Sequence, residues 1–243
     1  MSNPGSYYDI YLKRLNRYGE NYQTRVQNKR EEEFEYYLLK SVYRIDFEYE
    51  NEIHPATFEK YKQDETETLH YLLTRTNLTI PNGTVLMLPD KDNLQKPWMI
   101  YYLEAIKASG YNRYVALKMT HFVSWQDRSG NMRSSWAYLY GQQNNMLKDE
   151  LQSRSRVDAR YTENLKLSFF IMPLNEYIKK EIYLEIGEGQ LKEAYRVTGY
   201  DIQSSPGVEY VSIDPVYLHD NTPAPEITPE DNEEDFFWLQ GGK

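Results

Sequence analysis

Hydrophobic and polar residues alternate one for one through YNRYVALKMTHFVSWQDRSGNMRSSWAYLY, residues 111–140, on both sides of a single turn at Asp127-Arg128-Ser129-Gly130. A period of two predicts a long β-hairpin with one buried face. On the first arm Val115, Leu117, Met119, His121, Val123 and Trp125 share that face. Closing Gln126 on Asn131 sets Val123 opposite Ser134, His121 opposite Trp136 and Met119 opposite Tyr138, so both arms turn apolar and aromatic side chains inward.

Upstream, the period is helical. Tyr8, Leu12, Leu15 and Tyr18 fall on one face before Gly19, and a second run over 22–40 carries Val26, Phe34, Tyr37 and Leu38, with Arg25, Lys29, Arg30 and Glu31-Glu32-Glu33 on a solvated side. After Ser41 the period changes to two. VYRIDFEYE (42–50), TLHYLLTRT (68–76), TVLML (84–88), PWMIYYLEAIKAS (97–109), LKLSFFIM (165–172), EIYLEIG (181–187), AYRVTGYDIQ (194–203) and VEYVSI (208–213) are predicted strands, with Asn82-Gly83 and Ser204-Ser205-Pro206-Gly207 as turns. A faint echo links the two β regions. Ile80-Pro81-Asn82-Gly83, Trp98-Met99-Ile100 and Tyr114-Val115-Ala116-Leu117 recur in order as Ile178-Lys179-Lys180, Tyr195-Arg196-Val197 and Tyr210-Val211-Ser212-Ile213.

The expected fold is mainly β with N-terminal helices: an antiparallel barrel-like or sandwich-like body with long hairpins and an extended C-terminal tail. The expected organisation is a helical hairpin over 1–41, a first β region over 42–140, a polar connection over 141–164, a second β region over 165–217 and an acidic tail over 218–243.

Composition narrows the function. The chain has no cysteine, which removes disulfides, thiolate metal sites and cysteine nucleophiles together. The net charge is −9; six acids against Lys243 in 221–243 account for −5 of it, which leaves the body near −4. An acidic chain is not expected to bind nucleic acid on its own. No apolar run is long enough to cross a bilayer, so no membrane partner is expected. Tyrosine stands out, with 24 residues against 8 phenylalanines and 4 tryptophans. Such rings suit interfaces as well as cores.

Catalytic patterns are missing from the sequence. His54, His70, His121 and His219 are scattered without metal-ligand spacing, and His121, on the apolar face of the hairpin, reads as a hydrogen-bonded core residue. Gly187-Glu188-Gly189 lacks a third glycine and a following helix. Ser124 and His121 fall on opposite strand faces, which does not suit a catalytic triad. No enzyme, cofactor or metal is expected. Two segments are candidates for contact instead. In 141–164, Lys148, Arg154, Arg156 and Arg160 are candidates for facing DNA, though acidic neighbours largely balance them. At the end of the proline-rich acidic tail, Phe236, Phe237, Trp238 and Leu239 have the composition of a short docking segment.

The order YNRYVALKMTHFVSWQDRSGNMRSSWAYL, IMPLNEYIKKE, YRVTGYDIQSSPGVEYVSI, together with LNRYG and SVYRI near the start, resembles the head-closure or neck proteins (head–tail connectors) of tailed bacteriophages of Gram-positive hosts. The likeness covers most of 8–215, and Lys118-Met119-Thr120-His121 departs from a cysteine-asparagine-histidine run common there. It implies a structural virion protein at the head–tail interface, made in the host cytoplasm. Such a protein assembles as a homo-oligomeric ring beneath the portal or adaptor, closes the head after packaging and offers a surface to the tail, with genomic DNA in the channel. An adaptor or a tail terminator is the nearest alternative; a β-barrel module stacking bases on exposed rings, or an enzyme built on unmarked carboxylates, are the readings from other classes.

Overall fold

The computed structural model describes residues 21–61, 67–90, 94–104, 110–140, 169–187, 193–202 and 206–216, with isolated positions 7, 11 and 19. Helix α1 (Tyr22–Lys40) starts where Asn21 Oδ1 accepts the Thr24 amide at 2.8 Å, and ends where the Ser41 amide donates to Tyr37 O. Phe34 and Leu38, one turn apart, bury against Leu73, Tyr71 and Tyr111. Burying two such side chains contributes about 1.5–3 kcal/mol each, against a few tenths for the exposed Lys29–Glu33 pair, so apolar contact sets the helix position. The first expected helix lies outside the described residues, apart from Tyr7 and Tyr11.

Six strands follow: β1 (Arg44–Tyr49), β2 (Glu52–Lys60), β3 (Leu69–Thr74), β4 (Val85–Pro89), β5 (Gln95–Glu104) and β6 (Asn112–Lys118). They form an antiparallel sheet in the order β1-β2-β3-β6-β5-β4, and its end strands β1 and β4 lie side by side without pairing. The sheet thus curls around Phe47, Ala56, Phe58, Leu72, Trp98, Ile100 and Tyr114. Strand β2 was not among the expected strands. It contains Pro55, and it is joined to β1 by Glu50 and Asn51 at φ 53° and 65°, a left-handed two-residue turn that no glycine marks. Pro55 pairs only with β1, beyond the stretch where β2 meets β3, so its missing N–H costs no ladder bond on that side.

The remaining strands, β7 (His121–Gln126), β8 (Met132–Tyr140), β9 (Phe169–Pro173), β10 (Tyr183–Ile186), β11 (Glu193–Asp201) and β12 (Val208–Val216), form a closed barrel in the order β10-β11-β12-β9-β8-β7. Adding six to each number of the first sheet reproduces this order, so the strand topology is duplicated. Detail agrees with topology. Ile100 pairs with Ala116 and Val197 with Ile213, a constant offset of 97, and a bulge follows Ile100 and Val197 alike. Gly83 and Glu181 both donate to that strand, at 2.7 Å to Ile100 O and 2.9 Å to Val197 O. Ile80 and Ile178, matched by the sequence echo, are both buried. The echo slips by one residue only in the last strand, where Tyr114 corresponds to Val211 rather than Tyr210.

The long hairpin is corrected. Residues 112–118 and 121–126 are not one arm: β6 pairs with β3 and β5, whereas β7 pairs with β8 and β10, and the chain passes between sheets at Met119-Thr120. The turn holds five residues, with Gln126 opposite Met132, so His121 faces Ala137 and Val123 faces Ser135. That one-residue slip reverses the second arm. Ala137 and Leu139 face the barrel interior with Val123 and Trp125, while Trp136, Tyr138 and Tyr140 turn outward to the first sheet.

The outward faces form the joint. Leu69, Met99, Tyr101, Tyr102, Val115 and Leu117 of the first sheet pack on Tyr138, Tyr140, Phe169, Ile171 and Val208 of the second, and the Tyr101 and Tyr210 hydroxyls meet at 2.7 Å. At the edge of the joint two turns touch through backbone: a Cβ on Gly83 would lie 1.9 Å from Gly207 O, and one on Gly207 would lie 2.2 Å from Asn82 O. Tyrosine therefore serves an interface here, one internal to the chain.

Candidate functional site

Lys148, Arg154, Arg156, Arg160, Phe236, Phe237, Trp238 and Leu239 lie outside the described residues. His121 is half-buried, bonded through Nδ1 to Thr120 Oγ1 at 2.7 Å and 6.5 Å from the Phe170 ring. Burial lowers its pKa against the opposing charge of Glu193, which keeps the ring neutral near pH 7. It is hydrogen-bonded as expected, but it sits at the margin of the barrel interior rather than in the core.

The corresponding ends of the two barrel-like sheets differ. In the first, the short β1–β2 turn leaves a polar hollow of about 310 Å³ lined by Glu50, Glu52, His54, Pro55, Arg75, Asn77 and Leu78. Arg75 is engaged there by both Glu35 oxygens, at 2.6 and 2.9 Å, and this ion-paired hydrogen bond raises its pKa. His54 Nε2 lies 4.0 Å from Glu52. Among the described residues no group of three or more His, Asp or Glu side chains is arranged to hold a metal ion.

In the second barrel the longer turn occupies this end. Asp127 Oδ1 accepts the Ser129 and Asn131 amides, each at 2.9 Å, and Oδ2 accepts Arg133 Nε at 2.9 Å. Burial works to raise the Asp127 pKa, but the bonds from Asn131, Arg133 and Ser129 outweigh it and hold the carboxyl below its ordinary value. Arg133 lies over the Tyr177 ring at 4.0 Å, and the Tyr177 amide donates to Asn175 Oδ1. Asn175 in turn donates its amide to Glu209 Oε2 at 3.2 Å. Glu209 is 1% exposed, on the inward side of β12 opposite Met172. Burial pushes its carboxyl up to about 7, against the smaller pulls of the Asn175 amide and Lys179.

Sequence reasoning passed over Glu209 although its place was legible: it shares the inward parity of Val211 and Ile213. It also passed over a surface feature at the end of α1. Tyr36, Leu39, Val42 and Tyr43 are exposed, turned away from the Phe34–Leu38 stripe. The hollow and the turn bring polar groups together without a nucleophile beside a base, whereas the exposed apolar groups offer contact.

No protein-family model matches the chain, and no curated protein sequence matches it. Among solved structures it is similar to MrkH of K. pneumonia in its apo state, at 10% identity over 79% of this chain and 85% of that one, with a TM-score of 0.25. The MrkH–c-di-GMP complex gives 11% identity over 79% and 87%, with a TM-score of 0.24.

Proposed function

We propose that the chain is a structural protein of a phage neck, a subunit of a homo-oligomeric ring below the portal or adaptor that closes the head after packaging and offers the tail its attachment surface. The observation that carries this reading is the placement of the family-like segments. YNRYVALKMTHFVSWQDRSGNMRSSWAYL supplies β6, β7 and β8, IMPLNEYIKKE supplies the end of β9 and the loop beyond, and YRVTGYDIQSSPGVEYVSI supplies most of β11 and β12. These are strands of the closed barrel and of the joint, so the segments that carry the likeness fall on framework residues. In this role the arginines of 141–164 face genomic DNA and the tail reaches a partner.

Native mass spectrometry of the purified chain, with the mass of isolated particles, tests the reading. A closed oligomer and the chain's presence in the particle are expected. A monomer at all concentrations that is absent from particles overturns it, and salt-sensitive capture of free single-stranded DNA favours the base-stacking barrel module instead.

A further inference from the structure

The end of α1 carries an apolar strip. Tyr36, Leu39, Val42 and Tyr43 are 60, 70, 89 and 55% exposed, a concentration that marks an interaction surface rather than scattered apolar residues. Between Tyr36 and Ile45 the charged side chains are Lys40 and Arg44 alone, both basic. Lys40 donates to the Tyr36 hydroxyl of its own turn, and Arg44 lies 3.7 Å from Asp46. The nearest preceding acid, Glu35, is committed to Arg75.

We infer that this strip receives the C-terminal segment Phe236-Phe237-Trp238-Leu239 of a neighbouring copy; the inference rests on the ring reading and names the partner of the tail within it. Chemistry supports the match. The segment is aromatic and apolar like the strip, and the acids that precede it, Glu233, Glu234 and Asp235, complement Lys40 and Arg44. Reach supports it as well. Twenty residue-to-residue steps separate Val216, the end of β12, from Phe236. Extended at ~3.3 Å each they span roughly 66 Å, against a radius of gyration of about 18 Å for a compact chain of this length. The tail can therefore leave its own body and reach the next.

An aromatic tip after a proline-rich acidic stretch also suits a replaceable contact, since it offers large rings, the residue type that anchors interfaces.

Because the chain has no cysteine, disulfide trapping reads this contact directly. Full-length Val42→Cys chains are mixed with full-length Gln240→Cys chains and oxidised, with Arg128→Cys, on the exposed β7–β8 turn, as the control acceptor. The mixed Val42→Cys–Gln240→Cys disulfide is expected to dominate the control pair. Adding Trp238→Ala to the donor should lower its yield about tenfold or more, as loss of an anchoring ring does. A yield equal to the control overturns the inference, and so does a chain carrying both cysteines that closes only on itself. The native mass of the wild-type chain separates the two claims: an oligomer without the cross-link defeats the docking alone, while a monomer defeats the ring reading with it.

Discussion

Glu209 makes the most quantitative prediction. Its carboxyl lies inside the closed barrel, opposite Met172 and beside Val211, with one amide hydrogen bond from Asn175. A displacement from 4.5 to about 7 corresponds, at 1.36 kcal/mol per pKa unit, to an ionisation cost of about 3 kcal/mol in the folded state. The sign follows from proton counting. Between those pH values the folded chain holds a proton that the unfolded chain has released, so stability falls as pH rises from about 4.5 and levels off above about 7. Glu209→Gln keeps the shape and the acceptor for the Asn175 amide but cannot ionise. The assay is urea unfolding at pH 5 and pH 8, followed by the fluorescence of the buried Trp98 and Trp125. The wild type should lose about 2–3 kcal/mol more than Glu209→Gln over this interval, and the variant should be the more stable protein at pH 8. Subtracting the variant cancels the other titrating groups. If both proteins lose stability in parallel, the carboxyl is not confined as the structure places it.

Asp127→Ala should loosen the five-residue turn selectively. Hydrogen exchange at the Ser129 and Asn131 amides should accelerate while the β9 amides keep their protection, and unchanged exchange in the turn would refute the bonding described. Because the Asp127 carboxyl is held below its ordinary value, its stabilising share is present above the unfolded pKa and is lost as pH falls through the folded value, so the wild type and Asp127→Ala should converge in acid. Gly83→Ala and Gly130→Ala both place a side chain at φ near 80°, but a Cβ on Gly130 would meet Gln126 Nε2 at an ordinary 3.7 Å, whereas one on Gly83 would lie 1.9 Å from Gly207 O. Gly130→Ala should cost about 1 kcal/mol of backbone strain and Gly83→Ala about 3 kcal/mol or more in denaturant melts; equal costs would mean that the two turns do not touch.

The parts of the fold written in local alternation were legible in the sequence. Phe34 and Leu38 mark the buried stripe of α1, and Ile45, Phe47 and Tyr49 mark the inward side of β1, because each faces the same neighbour along its whole element. The change of sheet at Met119-Thr120 was not legible. The apolar parity runs unbroken in number from Val115 and Leu117 of β6 to Val123 and Trp125 of β7, but the first pair serves the joint while the second serves the barrel interior, and alternation records burial without recording against what. Turn length was the second loss, since Asp127-Arg128-Ser129-Gly130 reads as a complete turn, whereas Asp127 draws Asn131 in by accepting its amide on the carboxylate and donating its own amide to Asn131 O. The contact strip needed three dimensions: Tyr36 and Leu39 read as ordinary helix residues until Phe34 and Leu38 show which side is covered.

The duplication bears on how copies could meet. The two sheets pack through outer faces that correspond only in part: β3, β5 and β6 of the first meet β8, β9 and β12 of the second, so β3 and β6 face their counterparts β9 and β12 while β5 and β8 do not. This face is already buried within the chain and is not free to join further copies. A ring needs a contact in which one patch meets a different patch of the next copy. The barrels have diverged where such patches could arise. Only the first is preceded by α1 with its exposed strip, only the first has the two-residue turn beside the polar hollow, and only the second continues from its last strand into the acidic, aromatic-tipped tail. Strip and tail thus belong to opposite ends of the sequence, as two different patches. In the proposed ring, the additions to the two sheets, rather than the framework they share, are where an asymmetric contact between copies would be built.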